Sequence, residues 1–177
     1  MAGLTAQERL QPSLLDRLTD HETFSSKEPL EAKVLNKQQL RAAVLRDLSF
    51  LFNTTRAEPD PERVDPREAA LWKEVPHARA SVLNYGVPAL SGISMSRQQF
   101  ALLELYFKQA ILLYEPRIDP RTLSVQINHG TGFNIQHNSL RLTIKGQMWN
   151  QPVPLELLLS ADVDVETGLA AVRDLRT

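Results

Sequence analysis

Apolar and polar positions follow two different periods along this chain, and the change from one to the other comes near Pro120. Before it the period is helical. Leu40, Val44, Leu48 and Leu51 recur at three- and four-residue spacing, with Arg41, Arg46, Ser49 and Asn53 on the wetter side. This predicts an amphipathic helix over residues 36–53 with Asn36 as its N-cap. A second helix is bounded by a Ser96–Gln99 capping box and by Pro116. Its polar stripe is narrow, mainly Arg97, Glu104, Lys108 and Glu115, so it is expected to be buried on most sides. Either it lies between a sheet and the first helix, or a partner covers part of it.

After Pro120 the period is two. Leu123, Val125 and Ile127, then Leu140, Leu142 and Ile144, then Val153, Leu155, Leu157 and Leu159 alternate with polar neighbours. Hairpin-sized turns are expected at 129–132, 146–152 and 166–168, with a last short strand over Leu169–Val172. Helices first and strands after predict an α+β domain, its helices packed on one face of an antiparallel meander.

The connecting stretches are polar. Arg56–Pro76 carries four prolines and reads as a loop with a short helical turn near Glu68–Trp72, and Ser81–Pro88 reads as a shaped turn. Residues 1–35 form an N-terminal extension ahead of a domain over 36–177. Within the extension, Leu14, Leu15 and Leu18 make the apolar edge of a short docking helix. So short a helix must pack on something, its own domain or another chain.

Composition narrows the function classes. The chain has 177 residues, 42% apolar and 23% charged, enough for one domain with a core. Twenty basic against 21 acidic side chains give a net charge of −1, which removes the electrostatic case for nucleic acid. There is no cysteine, hence no disulfide scaffold or thiolate chemistry. No run of about 18 apolar residues exists to insert in a membrane, and Met1–Leu10 lacks a signal h-region. A cytoplasmic protein is expected.

Candidate chemistry is sparse. His21, His77, His129 and His137 form no metal-binding pair, and no nucleophile elbow, P-loop or dinucleotide fingerprint is present, so no cofactor or metal is expected. Carboxylate pairs such as Glu115 with Asp119 or Glu104 with Glu115 are the remaining enzymatic option, and 21 acids generate such pairs by chance. Glu115-Pro116-Arg117-Ile118-Asp119-Pro120 stands out. Two prolines stiffen it, and Glu115 closes a helix where its charge opposes the macrodipole. Two readings fit: Glu115 and Arg117 pair locally and brace the junction, or they are held out for another chain.

From about Pro12 to Val172 the chain resembles the TssE family of type VI secretion baseplate wedge subunits. That family is related to the gene-25 wedge protein of contractile-tailed phages, once labelled lysozyme-like. The resemblance rests on Pro12-Ser13-Leu14-Leu15-Asp16-Arg17-Leu18, Arg46-Asp47-Leu48-Ser49-Phe50-Leu51-Phe52-Asn53-Thr54, Ser81-Val82-Leu83-Asn84-Tyr85-Gly86, Glu115-Pro116-Arg117 and Val163-Asp164-Val165-Glu166-Thr167-Gly168, in that order. Two positions depart from the pattern: Ala89 stands where the family has an acid, and Phe52 where a second leucine is usual.

The resemblance implies a non-enzymatic part of a cytoplasmic baseplate docked near the inner membrane, with sister subunits TssF, TssG and TssK. It also implies that Glu115, Pro116 and Arg117 contact the TssF–TssG core bundle and that the sheet primes assembly of the TssB–TssC sheath. Leu14, Leu15 and Leu18 are a second candidate docking element. The alternatives are a peptidoglycan glycosidase, from the old label, and an anti-adaptor-type regulatory binding protein.

Overall fold

The computed structural model describes residues 13–18, 37–59, 65–90, 97–128, 133–134, 139–149 and 154–176. Its element order is α1 (Leu14–Leu18), α2 (Lys37–Phe52), α3 (Pro66–Glu74), α4 (Pro76–Arg79), a 3-10 turn (Val82–Asn84), α5 (Arg97–Tyr114), β1 (Ser124–Ile127), β2 (Phe133–Asn134), β3 (Ser139–Met148), β4 (Leu155–Asp164) and β5 (Ala170–Asp174). The strands form one antiparallel sheet in the order β1-β3-β4-β5, with β2 pairing β3 beyond β1. The fold is α+β, as the pattern predicts.

One face of the sheet supplies half of the core. Val125, Ile127, Leu140, Leu142, Ile144, Leu157, Leu159, Ala161 and Val163 are buried there. Leu40, Val44, Leu48 and Leu51 of α2 and Leu103, Phe107 and Ile111 of α5 close over them. Helix α2 lies along β5 and α5 along β1. Phe52 meets Phe107 edge-on at 5.1 Å between ring centres, so the aromatic ring at this departure from the family pattern fills the seam between the two helices.

Several details differ from the pattern. The Arg56–Pro76 stretch contains a nine-residue helix rather than a helical turn. Two of its prolines start helices instead of breaking them: Pro66 follows Asp65, whose carboxylate accepts from the Arg67 amide at 2.8 Å, and Pro76 opens α4 without a side-chain cap. Gly146 lies inside β3, not in a turn. A Cβ there would come within 3.3 Å of Ile118 Cγ2, tighter than ordinary contact, so Ile118 would have to shift to admit a side chain. Strand β2 lies just beyond the expected 129–132 turn, and β5 runs one to two residues later than expected. Asn36, Ser96, His21, His129 and His137 lie outside the described residues, as does most of 1–35.

Helix α5 is not buried on most sides. Leu102, Leu105, Leu112 and Leu113 are 39%, 47%, 39% and 46% exposed, because the core takes only the opposite face. The wet side of α2 is also less idle than its composition suggests. Arg41 donates to Asp174 Oδ2 at 2.8 Å and to the Glu156 carbonyl at 3.0 Å, tying α2 to β5 and β4.

Candidate functional site

The junction that follows α5 is pinned from both sides. The Glu115 amide still donates to the Ile111 carbonyl at 2.8 Å, closing the helix, and Pro116 then removes the next donor. The chain turns and runs beside the end of β3. There the Trp149 amide donates to the Arg117 carbonyl at 3.0 Å and the Asp119 amide to the Gln147 carbonyl at 2.8 Å. Ile118, bridged to Met148 between them, is buried. Pro116 faces outward.

The acid and the arginine are paired. Glu115 is only 3% exposed, and its Oε1 accepts from the Arg117 amide at 3.1 Å and from Arg117 Nε at 2.7 Å, while Oε2 accepts from Nη2. Arg117 Nη2 also donates to Asp47 Oδ2 of α2 at 2.5 Å. Burial alone would lower the Arg117 pKa, but the Glu115 and Asp47 carboxylates outweigh it and hold the guanidinium above its ordinary value. Arg117 Nη1 is buried without a hydrogen-bond partner.

The charges continue outward. Arg46 Nε donates to Asp47 Oδ1 at 2.9 Å, and Arg46 Nη1 reaches Asp16 Oδ1 at 2.5 Å. Asp16 belongs to a reciprocal cap: Ser13 Oγ donates to Asp16 Oδ2 at 2.6 Å, and the Asp16 amide donates to Ser13 Oγ at 3.3 Å. The line Asp16–Arg46–Asp47–Arg117–Glu115 therefore joins α1, α2 and the junction, three segments that each carry part of the family likeness. Helix α1 hangs on this line by its polar side. Its leucines face away, Leu14 72%, Leu15 49% and Leu18 73% exposed, so they do not form a core with their own domain.

Other motif residues are structural. Tyr85 packs edge-on against Tyr114 at 5.0 Å. Gly86 has φ +126°, and a Cβ there would lie 2.3 Å from the Thr54 carbonyl oxygen, so only glycine fits. Asn84 is buried, accepting from the Glu58 amide at 2.8 Å and donating to the Arg79 carbonyl at 3.1 Å. Asn53 acts as a side-chain strand: its Nδ2 donates to the Ala170 carbonyl and its Oδ1 accepts from the Ala170 amide, both at 2.9 Å. Asp164 caps its turn by accepting from the Glu166 and Thr167 amides at 2.8 and 3.0 Å.

The alternative carboxylate pairs do not face each other as free acids. Glu104 Oε1 accepts from the Ile127 amide at 2.6 Å, and Asp119 is forked by Arg121. His77 lies exposed on α4. Among the described residues no group of three or more His, Asp or Glu is placed to hold a metal, and no helix is long and apolar enough to cross a membrane.

Residues 38–153, from α2 through the junction and β3, match the family model described as baseplate wedge protein gp25. The chain belongs to the gp25 baseplate wedge family. Its matched span contains Asp47, Glu115 and Arg117 together. Family membership makes the protein a structural baseplate component of a contractile-tail type of machine. A solved structure of a candidate tail lysozyme from Geobacter sulfurreducens is similar over 71% of this chain and 90% of its own, at 17% identity and a TM-score of 0.43. A likeness of that size says nothing about chemistry. Among curated proteins no match was found.

Asp47 and Asp16 are the members of the charge line that periodicity alone misses. Asp47 borders the apolar stripe of α2 next to Leu48, and a carboxylate at the edge of a core needs a cation within reach. That is the signal. Its partner lies 70 residues away, which spacing does not reveal.

Proposed function

We propose that this chain is the TssE-type wedge subunit of a type VI secretion baseplate, held with TssF, TssG and TssK at the cytoplasmic side of the inner membrane. In this reading it is a rigid adaptor and not an enzyme. The Glu115-Pro116-Arg117 corner docks on the TssF–TssG core bundle, with the exposed Pro116 in contact and the buried Glu115–Arg117 pair holding it in place. Leu14, Leu15 and Leu18 add an apolar contact, and the sheet primes the TssB–TssC sheath.

The observation that carries this is the charge line from Asp16 to Glu115. It fixes the corner and the α1 leucines on one scaffold, so a partner meets both in a set geometry at little ordering cost. For the sheath, β5 has the more open edge. Ala170, Val172 and Asp174 direct their backbone groups away from β4, Asn53 occupies Ala170, and among the described residues nothing pairs with Val172. An added strand can pair there.

The test is co-expression with TssF and TssG followed by size-exclusion chromatography. Arg117→Ala alone would strand a buried carboxylate, so the informative variant is Glu115→Leu with Arg117→Met, which removes both charges together. Co-elution of the wild type, lost in the double variant while its unfolding stays cooperative, supports docking at the corner. Co-elution of both moves the interface to Leu14–Leu18. No complex with the wild type rejects the reading.

A further inference from the structure

Helix α5 carries a second apolar face that the domain does not use. Gln98, Leu102, Leu105, Gln109 and Leu112 are all exposed, and they follow each other at spacings of four, three, four and three. That is the a/d repeat of a coiled-coil seam, whereas Leu103, Phe107, Ala110 and Ile111 on the opposite side fill the core. At about 100° per residue, Tyr106 and Lys108 fall on opposite flanks of the seam.

Both flanks are positive. Arg56 lies over the Tyr106 ring, 4.7 Å from its centre, and donates to the Glu58 carbonyl but has no carboxylate partner among the described residues. Lys108 likewise has none. The neighbouring charges are already satisfied: Glu104 is turned onto the Ile127 amide, and Arg79 pairs with Glu58 at 2.8 Å.

We infer that the outward face of α5 receives an α-helix from a partner protein, apolar at heptad spacing and acidic on both flanks. A second copy of this chain is the wrong occupant. Two α5 helices packed seam to seam would set Lys108 and Arg56 against their own kind, and like charges across such a seam oppose pairing. Gln109, in the middle of the seam, fixes the register of the incoming helix through one polar contact. The inference stands on α5 and on Arg56 beside it, and does not depend on which secretion machine or tail the wedge serves.

The test uses the full chain and two fluorescent peptides of about three heptads with the same leucine seam, one flanked by glutamate and one by lysine. Fluorescence anisotropy should show saturable one-to-one binding of the glutamate peptide and at least about tenfold weaker binding of the lysine peptide. Leu105→Glu should weaken the glutamate peptide by at least about tenfold without lowering the melting temperature, since Leu105 serves no core. Leu112→Gln is the second variant should Leu105→Glu disturb the fold. Lys108→Glu with Arg56→Glu should reverse the preference between peptides. Equal affinity for both peptides, binding indifferent to both seam variants, or a wild-type dimer in sedimentation that Leu105→Glu dissolves would each overturn the inference.

Discussion

The two ends of the charge line use the same chemistry and achieve different things. At the inner end, Glu115 and Arg117 are nearly dry, their side chains 3% and 16% exposed, and backbone bonds to β3 hold the segment from behind. At the outer end, Asp16 and Arg46 hold a helix of five residues whose leucines stand in solvent. A carboxylate–guanidinium pair becomes rigid or loose according to the dielectric around it and to what else fixes its backbone. The inner pair is a brace. The outer pair is a tether: it sets where α1 sits without burying the helix.

The largest effect should come from unbalancing the brace. Glu115→Gln leaves the Arg117 charge buried against Asp47 alone, and urea unfolding should show a loss of roughly 3–5 kcal/mol. Adding Arg117→Met to Glu115→Leu should recover most of it, and no recovery would mean that the junction needs its charges for more than neutrality.

A smaller effect is expected at the tether. Arg46→Ala should cost about 1 kcal/mol or less in global stability while speeding amide exchange across Leu14–Leu18. Unchanged exchange there would show that α1 is held by other contacts.

The smallest effect is in pH. Burial tends to raise the Asp16 pKa, but bonds from Arg46 and Ser13 prevail and keep it below the ordinary 3.8. A depressed carboxylate stabilises the folded arrangement above its unfolded pKa and loses that contribution as pH falls through the folded one. Protection of Leu14–Leu18 should therefore be full near neutrality and decline only below about pH 4. A decline that begins near pH 6 would point to a histidine instead.

Much of this molecule is legible in the sequence. Leu40, Val44, Leu48 and Leu51 mark α2, and the alternation around Leu142 and Leu159 marks the sheet, because burial on one face imposes its period directly on composition. What is harder to read depends on distance or on partners. Pro66 looks like a breaker until Asp65 is seen to cap a helix behind it. Leu105 and Phe107 look alike in sequence, yet one faces solvent and the other the core, since hydropathy does not say whose core a residue serves. Glu115 and Arg117 left two readings open, and Asp47, brought in by the tertiary fold, completes the brace.

The seals on the sheet edges have a consequence for how the protein behaves before assembly. Glu104 covers the outward amide of Ile127 on β1, and Asn53 covers both backbone groups of Ala170 on β5. A strand added along β1 would have to evict a carboxylate, and one added to β5 finds only a short open stretch near Val172. Copies of the chain therefore cannot zip edge to edge into an endless ribbon without breaking satisfied polar contacts at every joint. The same side chains that finish the fold thus also keep the free protein from polymerising with itself.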